Sequence, residues 1–304
     1  MKGLLSGKVA VVTGAGRGIG RAEALALAAE GARVVVNDLG VDMRGAGASM
    51  SLADEVVSEI RKLGGEALPS YDTVATWQGG EKIIQTAIDG FGRLDILVNN
   101  AGVMRDRMIF NMTAEDWELV MGVNLDGHFY CARPACVWFR KQWQETGKGG
   151  RIVNTSSTAG LGYIGQANYS AAKEAIIGFT KSVALDMAKY GVTCNAIRPS
   201  AATRLTVESK ARAAWEAAGV GDLFDRKDKL SPESVADLVV YLVSDEAAGV
   251  TGRVFRVLEG EIGIYAGPEV ARSIHKAGRW TQNELRDLVQ TLTAALDKGP
   301  PGHG

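Results

Sequence analysis

The chain has 304 residues, with 34 Lys+Arg against 35 Asp+Glu and a formal net charge of −1. Hydrophobic residues make up 46% of it, enough for a core, which excludes a wholly disordered chain. A nucleic-acid binder needs a concentrated basic face, and the nearest cluster here, Arg204, Lys210 and Arg212, is interleaved with Glu208 and Glu216.

Residues 8–13 form a near-continuous β-branched run, the pattern of a strand covered on both faces in a parallel sheet. Similar runs follow at 33–37, 95–99, 151–156 and 192–198. Amphipathic helical stretches at 19–30, 51–63, 79–91, 114–124, 127–144 and 169–189 alternate with them. Thr113 stands three residues before Asp116, and Ser231 precedes Pro232, both helix-start signals. Thr281 and Glu284 form a capping-box pattern for a last helix reaching about residue 296.

This alternation predicts an α/β fold, a single Rossmann-type doubly wound parallel sheet of about seven strands with helices on both faces. The expected organisation is a dinucleotide-binding and catalytic domain over 1–260 and a C-terminal extension over 261–304 with a frayed end. A Gly-rich insertion at 39–50 interrupts the rhythm. Cys131, Cys136 and Cys194 form neither a CxxC pair nor an even disulfide set, so reduced thiols and a cytoplasmic location are expected. No stretch approaches the ~20 apolar residues of a membrane span, and the start lacks a secretory pattern. The ending Gly302-His303-Gly304 is no peroxisomal address. No metal-ligand spacing surrounds His128, and no metal is expected.

After the first strand comes Thr13-Gly14-Ala15-Gly16-Arg17-Gly18-Ile19-Gly20, with the useful glycines at 14, 18 and 20. Such glycines let the backbone turn tightly and approach a pyrophosphate, which then sits at the helix N-terminus. Asp38 lies twenty residues past Gly18 (38 − 18 = 20), where a carboxylate bonds the ribose 2′-hydroxyl and repels a 2′-phosphate. NAD is therefore favoured over NADP, although Arg17 would attract that phosphate. Asp72, with Thr73 beside it, either accepts from the adenine amino group or caps a turn. Asn99-Asn100-Ala101-Gly102 closes the fourth strand, where small and amide residues line a cofactor crevice.

Tyr169 and Lys173 stand at i and i+4, on one helix face. An unperturbed Tyr titrates near ~10, too high for proton transfer at neutral pH, and a neighbouring ammonium lowers that value. Ser156, thirteen residues upstream of Tyr169, sits at the carboxyl end of the fifth strand. Its neighbour Ser157 competes, because alternation aims only one of the two into the cleft. Asn124, at a helix boundary, is a fourth polar candidate.

Residues 13–20 and 99–102 with Asn124, Ser156, Tyr169 and Lys173 resemble, in order and spacing, the short-chain dehydrogenase/reductase family over about residues 6–260. The resemblance implies Tyr169 as acid/base, Lys173 holding the nicotinamide ribose and tuning Tyr169, Ser156 steadying the substrate oxygen and Asn124 supporting a proton relay. It also implies nucleotide contacts from Pro199 and Thr203, and pairing of helices 127–144 and 169–189 in a homo-oligomer.

Asn37-Asp38-Leu39-Gly40, Arg105-Asp106-Arg107 and Gly165-Gln166-Ala167-Asn168 are similar to the (3R)-hydroxyacyl-CoA dehydrogenase domains of multifunctional peroxisomal enzymes and their bacterial steroid or acyl-CoA relatives. Asn124 stands where those domains carry His, and Arg198-Pro199-Ser200 replaces the common Pro-Gly. The reaction implied is NAD-linked oxidation of a 3-hydroxyacyl-CoA. The alternatives are a hydroxysteroid or other secondary-alcohol dehydrogenase and, outside enzymes, a nucleotide sensor or scaffold. The expected substrate wall is Tyr163, Ile164, Gln166 and the segment 204–223, while Trp215 and Phe224 either line the pocket or, more in keeping with their type, pack within helices. Arg105 and Arg107 are placed to meet a CoA phosphate or to remain solvated.

Overall fold

Valine and isoleucine dominate β1 (Val9–Thr13), β2 (Arg33–Asn37), β4 (Ile96–Asn99) and β5 (Arg151–Thr155), all buried almost throughout. Such segments are stable only with both faces covered, which dictates helices above and below the sheet. The computed structural model describes residues 3–40, 51–199, 231–258, 260–270 and 273–293. Ser200, Thr203, the segment 204–223, Trp215, Phe224 and residues 41–50 of the insertion lie outside the described residues.

Adding β3 (Ala67–Ser70), β6 (Thr193–Pro199), β7 (Val254–Leu258) and β8 (Glu261–Ile264), the sheet order is β3-β2-β1-β4-β5-β6-β7-β8. Strands β1 to β7 run parallel, and β8 pairs antiparallel with β7. Among the described residues the sheet thus has eight strands and continues past residue 260 to Ile264. The eighth escapes a hydrophobic pattern because its residues are mostly exposed and ladder hydrogen bonds hold it.

Side chains alternate between the faces with period two. Ala10 and Val12 point to one core with Leu27 of α1 (Gly18–Ala29), Val56 of α2 (Ser51–Lys62) and Val239. Val9 and Val11 point to the other with Ile83 of α3 (Trp77–Phe91), Phe139 and Met187. Fully burying each such aliphatic side chain stabilises by about 1.5–3 kcal/mol.

The capping box expected at Thr113 is formed, and α4 (Ala114–Met121) begins there. The boundary expected near Asn124 is instead a π-helical turn, Gly122–Asp126, that leads directly into α5 (Gly127–Thr146). α6 (Ala167–Met187) carries the Tyr169–Lys173 pair, and α7 (Pro232–Val243) is capped by Ser231. The chain divides into two units, 1–265 and 266–304. In the second, Thr281 caps α8 (Gln282–Thr293), and Glu284 pairs with Lys276 at 2.6 Å. Among the described residues no helix is long and apolar enough to cross a membrane.

Candidate active site

The parallel strands bring Thr13, Asn37, Asn99, Thr155 and Pro199 to one end of the sheet, where ligands bind in this architecture. Gly14 there has φ +64°, and a Cβ would lie 2.7 Å from Ala101 Cα. At Gly20 a Cβ would lie 2.4 Å from both Asn100 Nδ2 and Gly14 O. Asn100 clamps the turn, donating from Nδ2 to Thr13 O at 3.0 Å and to Gly14 O at 3.1 Å. Its neighbour Asn99 points inward instead, to Asn154 Oδ1 at 3.0 Å. Among the described residues no side chain caps the α1 N-terminus, where Arg17 is exposed. Ile19 is half-buried. Uncapped N–H groups behind a glycine turn fit a pyrophosphate.

Asp38 lies at the next strand end, its carboxylate accepting from Gly16 N at 2.8 Å and Gly40 N at 2.7 Å. A carboxylate against the phosphate loop fits a dinucleotide with a free 2′-hydroxyl. Asp72 is half-exposed, 3.8 Å from Lys82 Nζ, and its backbone carbonyl accepts from Asn37 Nδ2 at 2.9 Å. Thr73 Oγ1 accepts from Ala75 N at 3.2 Å, a local turn bond.

Tyr169 and Lys173 share the inner face of α6, and Lys173 Nζ lies 5.5 Å from the Tyr169 ring centre. Lys173 Nζ donates to Thr155 O at 2.8 Å. Burial lowers Lys173 to about 7. Tyr169 is pushed up to about 12, chiefly by burial; a hydrogen bond with Ser157 opposes the rise and the Asp106 carboxylate adds to it. The expected net lowering of Tyr169 by an ammonium neighbour is therefore outweighed, because removing both groups from water disfavours both charged forms.

The structure corrects the serine assignment. Ser156 is buried and its Oγ donates to Lys173 O at 2.6 Å, so it is bonded to the helix backbone. Ser157 is the serine that meets Tyr169, and its Oγ also accepts from Ala159 N at 3.1 Å. The 3₁₀ turn Thr158–Leu161, with Ser157 as its N-cap, takes over from strand geometry here. Asn124 is held by the π turn, its Nδ2 donating to Val103 O and Val120 O at 2.9 Å. A Cβ at Gly102 would lie 2.7 Å from Asn124 Oδ1 and 3.7 Å from Lys173 Nζ, so these groups meet beside Gly102.

Tyr163 packs with Val103, Met104, Val120, Ala159 and Tyr169, and Ile164 is exposed. Gln166 does not form the expected wall: it is buried and donates from Nε2 to Asp106 Oδ1 at 3.1 Å. It belongs to a brace. Arg107 N donates to Gly165 O at 2.8 Å, and Arg107 Nε to Asp116 Oδ2 at 2.6 Å, so Arg107 is engaged with protein. Asn168 Nδ2 donates to Arg105 O at 3.2 Å and Asp116 O at 3.1 Å, while its Oδ1 accepts from Tyr169 N at 2.7 Å. Sequence reasoning missed Asp106 and Asn168 as site residues, since their partners lie about 60 positions away.

The family model described as "short chain dehydrogenase" matches residues 8–216. The mouse peroxisomal multifunctional enzyme type 2 is 45% identical over 258 residues, 84% of this chain, but the chain spans only 32% of that longer protein. The hydroxyacyl-CoA dehydrogenase ChsB1 of Mycobacterium tuberculosis is 41% identical, with 96% of this chain and 90% of that protein covered. A crystal structure of a short chain dehydrogenase from Mycobacterium avium matches with a TM-score of 0.82 at 46% identity, covering 96% of both chains.

Proposed function

The chain belongs to the short-chain dehydrogenase family, and we propose that within it the protein is an NAD-dependent enzyme that oxidises a 3-hydroxyacyl-CoA to the 3-oxoacyl-CoA. One observation carries the reading: Tyr169, Lys173 and Ser157 meet at the carboxyl edge of a sheet whose first turn is a glycine loop at an uncapped helix start. The thioester class rests on the similarity to a named hydroxyacyl-CoA dehydrogenase over nearly the whole chain.

Gly14, Gly18 and Gly20, with the α1 N-terminus, would hold the pyrophosphate, and Asp38 the adenosine ribose; Asn100, Ala101, Gly102 and Pro199 would border the nucleotide. The cofactor, when bound oxidised, supplies a hydride acceptor and a positive charge. Tyr169, in its phenolate form, would take the proton from the substrate hydroxyl as the hydrogen on the same carbon leaves with its bonding electron pair as hydride. Ser157 donates to the same substrate oxygen and holds it against Tyr169. Lys173, as the ammonium, favours the phenolate. Asp38 supports NAD over NADP.

A second reading, a hydroxysteroid or other bulky alcohol without CoA, is favoured by exposed Ile109, Phe110 and Ile164, which lie within three residues of the bridged Arg107 and Gln166. Turnover of 3-hydroxyacyl-CoA thioesters, their free alcohols and hydroxysteroids, each with NAD and NADP, tests both readings. Equal kcat/KM for a thioester and its free alcohol would remove the thioester assignment. Tyr169→Phe is expected to abolish turnover while leaving NADH binding intact. We also place the enzyme in the cytoplasm, as its free thiols suit. We expect a homo-oligomer, because exposed Phe129, Val137 and Trp143 on α5 and Leu185 on α6 suit a helix interface; light scattering reads its size.

A further inference from the structure

Buried polar atoms that the proposed chemistry does not use lie at the ends of β4 and β5 and around the start of α5, at the sheet edge where Lys173 bonds Thr155 O. His128, in the first turn of α5, is buried at 2% exposure, as is Asn124 at 0%. Among the described residues His128 Nε2, Asn124 Oδ1, Asn99 Oδ1 and Thr155 Oγ1 are buried without a hydrogen-bond partner. Hydrogen bonds tie these groups together. Asn99 Nδ2 donates to His128 O at 3.4 Å, the His128 ring bonds the backbone of Asn99 and Asn124, and Thr155 O accepts from Lys173 Nζ. Asn99 and Thr155 end adjacent strands, Asn99 pairing with Asn154.

Buried polar groups are ordinarily satisfied, so unpartnered ones beside a charged group invite a role. Three of these four atoms act as acceptors, while Lys173 has three N–H donors and spends one on Thr155 O. With Nε2 unpartnered and the ring bonded to backbone carbonyls, the ring proton belongs on Nδ1 and Nε2 presents a lone pair.

We propose that His128 is a positioning residue for Lys173: with Asn124 and Asn99 it forms an acceptor-lined site that holds Lys173 as the ammonium and so favours the Tyr169 phenolate. This rests on the oxidoreductase reading above. Burial and the Lys173 charge keep the imidazole neutral, well below its ordinary value. A neutral ring is what the role requires, since an imidazolium would repel the ammonium and lose its lone pair. The charged group acting on His128 is Lys173 of α6; Asn99 of β4 and Asn124 of the π turn meet the ring through their backbone, and Thr155 of β5 contributes a neutral dipole.

Two measurements test it. The chain has three histidines, so nitrogen NMR of the cofactor-free protein resolves each ring. His128 is expected neutral, with the proton on Nδ1, from pH 5.5 to 8; an imidazolium or a proton on Nε2 in that range overturns the proposal. The second is the pH profile of kcat for alcohol oxidation. His128→Leu removes the acceptor at similar volume and is expected to lower kcat about tenfold, raise the acid limb by about one pH unit and leave KM alone. His128→Gln, whose Oε1 reaches the Nε2 position, restores the wild-type profile, whereas the shorter His128→Asn does not. If the Leu variant fails to fold, the Gln–Asn comparison decides. Identical profiles for all variants, or equal losses in Gln and Asn, overturn the role. A wild-type protein without turnover on any alcohol would sink the oxidoreductase reading instead, while the NMR result would still report the tautomer.

Discussion

Ser156 Oγ donates to the backbone carbonyl of Lys173 at 2.6 Å, seventeen residues away, and so joins the end of β5 to the helix that carries the reacting pair. That bond removes Ser156 from the cleft and leaves its neighbour to face Tyr169. Under the proposed function the two serines separate a structural task from a chemical one. Ser157→Ala is expected to lower kcat by about 10²–10³ with little change in melting temperature. Ser156→Ala leaves the substrate oxygen's donor in place and costs about 1 kcal/mol of stability. Steady-state kinetics with thermal unfolding of both variants checks this; a larger kcat loss at Ser156 than at Ser157 would reverse the assignment.

Asp38 presents a carboxylate beside the phosphate loop, bonded to Gly16 N and Gly40 N. Asp38→Asn keeps one acceptor oxygen and removes the charge. The ratio of kcat/KM for NAD over NADP is expected to fall by about tenfold or more, since one unit charge near a phosphate is worth about 1.4 kcal/mol or more. An unchanged ratio would show that Asp38 does not select the cofactor.

Asp106 makes the Tyr169 phenolate harder to form, and Gln166 fixes its position. Asp106→Asn keeps a partner for the Gln166 amide and removes the negative charge. Tyr169 should then ionise more readily, so the acid limb of the oxidation profile moves to lower pH. A shift to higher pH, or none, contradicts this electrostatic role.

Glu23 of α1 is fully buried, both oxygens lack a hydrogen-bond partner among the described residues, and burial raises it to about 8. Its folded value lies above the unfolded one, so the native state holds the extra proton. Stability from this group is present below pH 4.5 and is lost as pH rises to about 8, with a slope of up to about 1.4 kcal/mol per pH unit. Glu23→Met should flatten that slope and raise the melting temperature at pH 8. Calorimetry across pH 5 to 8 reads both, and parallel curves for wild type and variant would rule the mechanism out.

The alternation of β-branched runs with amphipathic stretches determined the doubly wound sheet, because burial on both faces leaves a strand no polar positions. The glycine turn after β1, the strand-end position of Asp38 and the shared helix face of Tyr169 and Lys173 were legible for the same reason: each is a local placement, set within one turn or one βα unit. The tertiary structure decided what local patterns cannot encode. Strand alternation stops where the 3₁₀ turn begins, so only the folded chain shows Ser157, not Ser156, beside Tyr169. Gln166 reads as a wall residue from the sequence, but in the fold it is buried, bridged to Arg107 and bonded to Asp106. The values of Tyr169 and Lys173 likewise depend on how much water the surrounding chain removes. Desolvation is a property of everything packed around a group, and no spacing in the sequence records it.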